Sequence, residues 1–319
     1  MNAGLEFWFF VMLTAILSFT LLSAVLFPLL RSGLNMLRPA MRANVLLGWC
    51  IAPIAFGVLI AFSPWLLSAL GLAPANCGRL SDAFLAGRIW PVVFDAVLLA
   101  PLVWFIFSSA RRIRTAVRLN SKISSLVAVG RPYANGDIAI IDSNKPLAFA
   151  SGLYRSRIII ASCLQHSLSE AQMRAVISHE RAHASRRDAL RYLVAEVVSV
   201  AHLPWVKSSL LADLQLATEQ ACDEAAVQAG GDRLGVAETL LRVERLFGRQ
   251  SDESGIPVHL LGGDLEARVE ALVAGQPCTM TGRWRHMILM LAIVCGVVAL
   301  IGAVPLHEFM GSFLVYVKG

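Results

Sequence analysis

Long uncharged apolar runs dominate the first third of this chain and return near its end. Residues 7–30 carry no charge. A second run covers about 44–72, interrupted by Pro53 and Pro64, a third covers 90–109 and contains Asp95, and a fourth spans about 286–305. About 20 helical residues at 1.5 Å each cross the hydrocarbon core, and membrane helices tolerate proline. The pattern therefore predicts four transmembrane helices, at about 7–30, 44–72, 90–109 and 285–305, dividing the chain into a membrane part over 1–112, a soluble domain over 113–284 and a short tail over 306–319.

Between the third and fourth runs the pattern changes. Short β-like runs come first, at Leu126–Val129, Asp137–Ile141, Leu147–Ala150 and Arg157–Ala161, separated by turn signals such as Asn135-Gly136 and Asp142-Ser-Asn-Lys-Pro146. Apolar residues then recur at helical spacing over 169–185, 187–201, 205–229 and 234–248, with Pro204 and Gly230-Gly231 as punctuation. Ser169 with Gln172 forms an S-x-x-Q capping box at the start of the first of these helices. Residues 249–263 read as a polar loop and 264–274 as a short helix. Strands followed by helices predict an α+β domain.

Composition supports the membrane assignment. Of the 319 residues, 56% are hydrophobic and 16% charged, where a soluble domain has about 25% charged residues. The net charge of +6 sits largely beside the apolar runs, so it predicts membrane orientation and not binding to nucleic acid. Arg31, Arg38 and Arg42 follow the first run; Arg111, Arg112, Arg114, Arg118 and Lys122 follow the third; Arg283 and Arg285 precede the fourth. The flanks predict an N-out, C-out topology with the large domain in the cytoplasm and the loop 73–89 outside. The N-terminus has no basic region ahead of its apolar run, so the first span is expected to be retained and not cleaved as a signal peptide. Six cysteines show no C-x-x-C pairing, which predicts neither a disulfide framework nor a cysteine-based metal site.

The candidate chemistry lies in His179-Glu180-Arg181-Ala182-His183, an H-E-x-x-H motif on the predicted helix 169–185. Two imidazoles one turn apart share a face and can hold one Zn²⁺, while Glu180 beside them is placed as general base. A catalytic zinc needs a third protein ligand. Glu219, on the predicted helix 205–229, is the best candidate, with Glu224 the nearest rival. Asp223 is four residues on from Glu219 and shares its face, where it can accept a hydrogen bond from a ligand imidazole. Asp188 can do the same or can cap the following helix. His202, Tyr192 and Tyr154 are candidate oxyanion donors, with core packing the more ordinary role.

These motifs resemble those of the M56 membrane metallopeptidases, the group of the β-lactam sensor-transducers and methicillin-resistance sensors. The resemblance is carried by Pro146–Gly152, Arg157–Ile160, Ser178–His183 with Arg186-Arg187-Asp188, Glu219–Asp223 and Leu265-Glu-Ala-Arg268. It implies a gluzincin-like zinc endopeptidase in a bacterial cytoplasmic membrane, with His179, His183 and Glu219 as ligands and Glu180 catalytic. It implies regulated proteolysis of a cytoplasmic regulator such as a transcriptional repressor. The sensors' penicillin-binding domain has no counterpart in residues 306–319, so control by a membrane partner protein, by the lipid phase or by substrate supply is expected instead. The edge strand near 147–161 is expected to bind substrate as an added strand. Two other readings remain open: an M48-type housekeeping membrane protease, which also pairs H-E-x-x-H with a downstream glutamate, and a non-proteolytic membrane transducer.

Overall fold

The computed structural model describes residues 3–69, 91–133, 137–153, 156–254 and 262–275. It opens with three long helices, α1 (Ala3–Leu34), α2 (Pro39–Ala69) and α3 (Pro91–Val129). Phe9–Leu34 and Pro39–Ser63 are long and apolar enough to cross a membrane. Their side chains are distributed as a lipid solvent would have them. Leu17, Leu21, Val25 and Leu29 of α1 and Phe62 of α2 are exposed, while Thr20, Ser23 and Ser63 are buried. The two helices approach closely at Gly57, where a Cβ would overlap the Ile16 side chain and lie 3.0 Å from the Met12 carbonyl oxygen. The fourth apolar run, the loop 73–89, the tail 306–319, Tyr154, Cys77, Cys278 and Cys295 lie outside the described residues.

The third apolar run forms the first part of α3, which continues unbroken to Val129. The strand expected at Leu126–Val129 is therefore helical. Four apolar residues cannot by themselves distinguish strand from helix, and no Gly or Pro interrupts residues 102–129; the break comes at Gly130 and Pro132. The first strand is instead β1 (Arg131–Tyr133), followed by β2 (Ile138–Ile141), β3 (Ala148–Ser151) and β4 (Arg157–Ala161). The sheet order is β1-β2-β4-β3, with β2 and β4 parallel and the other pairs antiparallel. This places β3 at one edge. Ile158, Ile159 and Ile160 of central β4 are all buried, the continuous apolar run of a strand covered on both faces.

The remaining elements are helical: α4 (Ser162–Ser167), α5 (Glu170–Arg186), α6 (Asp188–Val198), a 3-10 turn at Ser199–Ala201, α7 (Pro204–Gln228), α8 (Arg233–Ser254) and α9 (Gly262–Ala274). Helix α4 was not expected. Helix α8 runs to Ser254, past the loop expected from 249, because Gly248 alone does not stop it and Arg249–Ser254 contains no further glycine or proline. The capping box forms as expected: the Ser169 N–H donates to Gln172 Oε1 at 3.1 Å and the Gln172 N–H to Ser169 Oγ at 3.3 Å. Met173 and Ile177 of α5 pack with Ile138, Ile158 and Ile160 of the sheet.

A second core joins α1 and α2 to the rest of the protein. Phe27 and Leu34 of α1 and Leu46 of α2 pack with Ala195 of α6 and Leu210 and Leu214 of α7. At its margin Arg31 donates to both oxygens of buried Asp213, at 2.7 and 2.8 Å, and Arg42 lies 3.8 Å from the same carboxylate. Helices α1 and α2 are thus seated directly on α7.

Candidate metal centre

Four helices deliver the site. Helix α5 carries His179, Glu180 and His183; α7 carries Glu219 and Asp223; α9 carries Arg268. Between α5 and α6 the chain turns through one residue, Arg187, in the left-handed region (φ 53, ψ 46). That turn brings Asp188, the first residue of α6, back onto His183. Asp188 does not cap α6 with its side chain, since the N-cap is Arg187 and makes no side-chain bond.

The two imidazoles meet with Nε2 atoms 3.2 Å apart. Each Nδ1 faces a buried carboxylate: His179 lies 3.0 Å from Asp223 Oδ1, and His183 lies 2.9 Å from Asp188 Oδ2. With both Nδ1–H groups donating to these oxygens, each Nε2, once free of a proton, presents its lone pair toward the other. Such an arrangement calls for a cation between them. Glu219 completes the set, with Oε2 3.5 Å from His179 Nε2 and Oε1 3.5 Å from His183 Nε2. One donor atom from each residue lies within 4.8 Å of the others. Bonds of about 2.0–2.1 Å to a tetrahedral zinc put neighbouring ligand atoms about 3.3–3.4 Å apart. The donor chemistry and the spacing therefore both fit zinc.

The electrostatics express the same demand for positive charge. Burial alone lowers the His179 pKa, but hydrogen bonds to Asp223 and Glu219 overcome it and push it up to about 10. Burial raises Glu219, yet the His179 hydrogen bond and the Arg268 charge bring it down to about 2. Asp223, likewise desolvated, is brought to about 2 by its hydrogen bonds with Arg268 and His179. Asp188 Oδ1 lies 3.5 Å from Arg186 and 3.6 Å from Arg191, and its Oδ2 is 3.8 Å from the Cys222 thiol.

Arg268 is the residue that local sequence reasoning gave no role. Its guanidinium donates to both oxygens of Asp223, at 2.8 and 2.7 Å, and lies 3.0 Å from Glu219 Oε2. No short-range spacing marks it, because its partners are on another helix.

The site opens into a cleft of about 540 Å³ whose apolar walls include Phe149 and Ala150 of β3, Val176, Val243, Phe247 and Leu265. Buried Glu180 and the partly buried Tyr192 also line it. Burial raises the Tyr192 hydroxyl's pKa, so it stays a donor. Two other candidates fall away from the cleft. His202 bonds to Ser23 Oγ and the Trp49 carbonyl among the spans, and Glu224 pairs with Arg233 at 3.0 Å.

The family model for peptidase family M48 matches residues 114–275, just over half of the chain, from within α3 to the end of α9. The chain belongs to peptidase family M48. No curated protein and no solved structure matches it. The expected kinship with the M56 metallopeptidases is thereby overturned, and with it the support for a sensor-transducer role. The short motifs misled because H-E-x-x-H with a downstream glutamate answers one chemical requirement, three ligands and a base, in both groups. M48 peptidases are zinc metalloproteases. With two helices among the described residues apolar and long enough to cross a membrane, this M48 protein is a membrane metalloprotease.

Proposed function

We propose that this M48 protein is a zinc endopeptidase that cleaves extended protein or peptide segments at the membrane surface, in a housekeeping role. The observation that carries the reading is the convergence of two carboxylate-backed imidazoles and Glu219 on one point at the head of an apolar cleft. His179, His183 and Glu219 would hold one zinc. When bound, zinc polarises the scissile carbonyl and acidifies water. Glu180, buried beside the ligands and lining the cleft, takes a proton from the attacking water and delivers it to the leaving amine nitrogen. Asp223 and Asp188 fix the imidazole tautomers, and Arg268 holds Glu219 and Asp223 in place. Edge strand β3 lines the cleft and supports binding of substrate as an added strand. A glutamate third ligand on a downstream helix supports a gluzincin-like α+β reading of the domain 113–284.

For topology we propose four spans, adding the apolar half of α3 and residues 285–305, with both termini outside and the peptidase in the cytoplasm of a bacterial cell. The basic residues at 31–42 and 111–122 support it. The partners are a protein or peptide substrate, the lipid bilayer and, for control, a membrane partner protein, with no direct nucleic-acid contact.

The test uses the full chain in nanodiscs. Metal analysis should find one zinc per chain, and cleavage of casein should stop with chelator and return with zinc. Cleavage indifferent to chelator would refute the reading. For topology, an impermeant maleimide should reach Cys77 from outside intact cells while Cys163 and Cys278 stay protected; the opposite pattern would invert the orientation.

A further inference from the structure

The turn between α6 and α7 lies far along the spans from the catalytic cleft. Residues Val197–Val206 contain no Asp, Glu, Lys or Arg. Charges stand at the mouth of this hairpin: Glu196 pairs with Arg112 of α3 and lies 3.4 Å from Lys207. Beyond them the tip runs down the α1–α2 pair. The Thr20 hydroxyl donates to the Ala201 carbonyl at 2.6 Å, and His202 bonds at 3.3 Å to Ser23 Oγ and at 3.1 Å to the Trp49 carbonyl. The Trp49 indole N–H donates to the same Ser23 hydroxyl at 2.8 Å.

These partners set the position of the tip along α1 and α2. Thr20 is eleven residues inside Arg31 on α1, about 16 Å of helix, and Trp49 is seven residues inside Arg42 on α2, about 10 Å. Half of the hydrocarbon core is about 15 Å. Non-helical backbone at such a depth must find its hydrogen bonds within protein. Here Ala201 O is satisfied by Thr20, the His202 N–H by Ser199 O, and Pro204 has no N–H to satisfy. At the apex Trp205 is 61% exposed with Pro204 beside it, as Leu17, Leu21 and Val25 are exposed on α1.

We propose that the α6–α7 tip, Val197–Val206, is embedded in the hydrocarbon of the bilayer, with Trp205 against the acyl chains. The peptidase domain is thus held by a re-entrant hairpin as well as by its spans. This rests on α1 and α2 crossing the membrane and not on the catalytic assignment.

The experiment is photo-crosslinking of the full chain in phosphatidylcholine vesicles. A Trp205→p-benzoylphenylalanine variant is compared with the same replacement at Leu21, on the exposed face of α1, and at Gln228, exposed at the far end of α7. Mass spectrometry should show a gain of one phospholipid on the peptides labelled at 205 and 21 and none at 228. Labelling at 21 without labelling at 205 would overturn the proposal, as would a crosslink from 205 to the peptide 285–305 in place of lipid. Absence of lipid at 21 would remove the spans themselves and the proposal with them.

Discussion

Arg268 grips Asp223 by both carboxylate oxygens across 45 residues of sequence. Asp223 in turn faces His179 Nδ1, so the guanidinium steadies one imidazole at one remove and Glu219 directly. Arg268→Ala should lower zinc affinity about 10–100-fold, as loss of an outer partner does. Arg268→Lys should recover only part, since an ammonium cannot reproduce the fork. Competition with a chromophoric chelator measures both. Unchanged affinity in Arg268→Ala would show that the ligands hold their positions without it.

Asp188 gives a parallel test at the other imidazole. Asp188→Ala removes the acceptor 2.9 Å from His183 Nδ1, and affinity should again fall about 10–100-fold. Asp188→Asn retains an acceptor oxygen and should lose less. Equal losses in the two variants would mean that charge, not tautomer control, is what Asp188 supplies.

Glu180 and Glu219 should separate chemistry from binding. Glu180→Gln should keep one zinc per chain and lose about 10²–10⁴-fold in cleavage rate. Glu219→Ala should lose most of the metal. Full zinc occupancy in Glu219→Ala would place the third ligand elsewhere.

Metal uptake should also release a proton. His179, raised to about 10 without metal, is protonated at pH 8, and zinc must displace that proton. Affinity should therefore fall about tenfold per pH unit as pH drops below about 10, from this one group. Glu219 and Asp223, held at about 2, stay ionised throughout and add nothing to the slope. Calorimetry at pH 8 in two buffers of different ionisation enthalpy should report release of about one proton. No buffer dependence would mean that His179 is neutral before zinc arrives.

What was legible in the sequence is what short range determines. The start of α5 follows from Ser169 and Gln172, the adjacency of His179 and His183 from one helical turn, and the shared face of Glu219 and Asp223 from the next. Asp188 was half legible, because capping and bonding to His183 make the same demand for a carboxylate at that position. Arg268 was not, since its partners lie on α7 and only the packing of α9 brings them together. Leu126–Val129 failed because α3 ends where Gly130 stops it, not where its composition changes. The family failed for a different reason: its signature lies across the whole of 114–275, while the motifs that can be read locally are common property.

The centre is also spread along the order of synthesis. His179 and His183 are made first, Glu219 and Asp223 follow after the α6–α7 hairpin, and Arg268 comes last, on α9. A nascent chain that has reached Asp223 holds every proposed ligand yet leaves the Glu219 and Asp223 carboxylates without the Arg268 charge until α9 docks. Helix α9 thus serves as the latch of the centre, and a ribosome-bound protease is unfinished for as long as that helix is unmade.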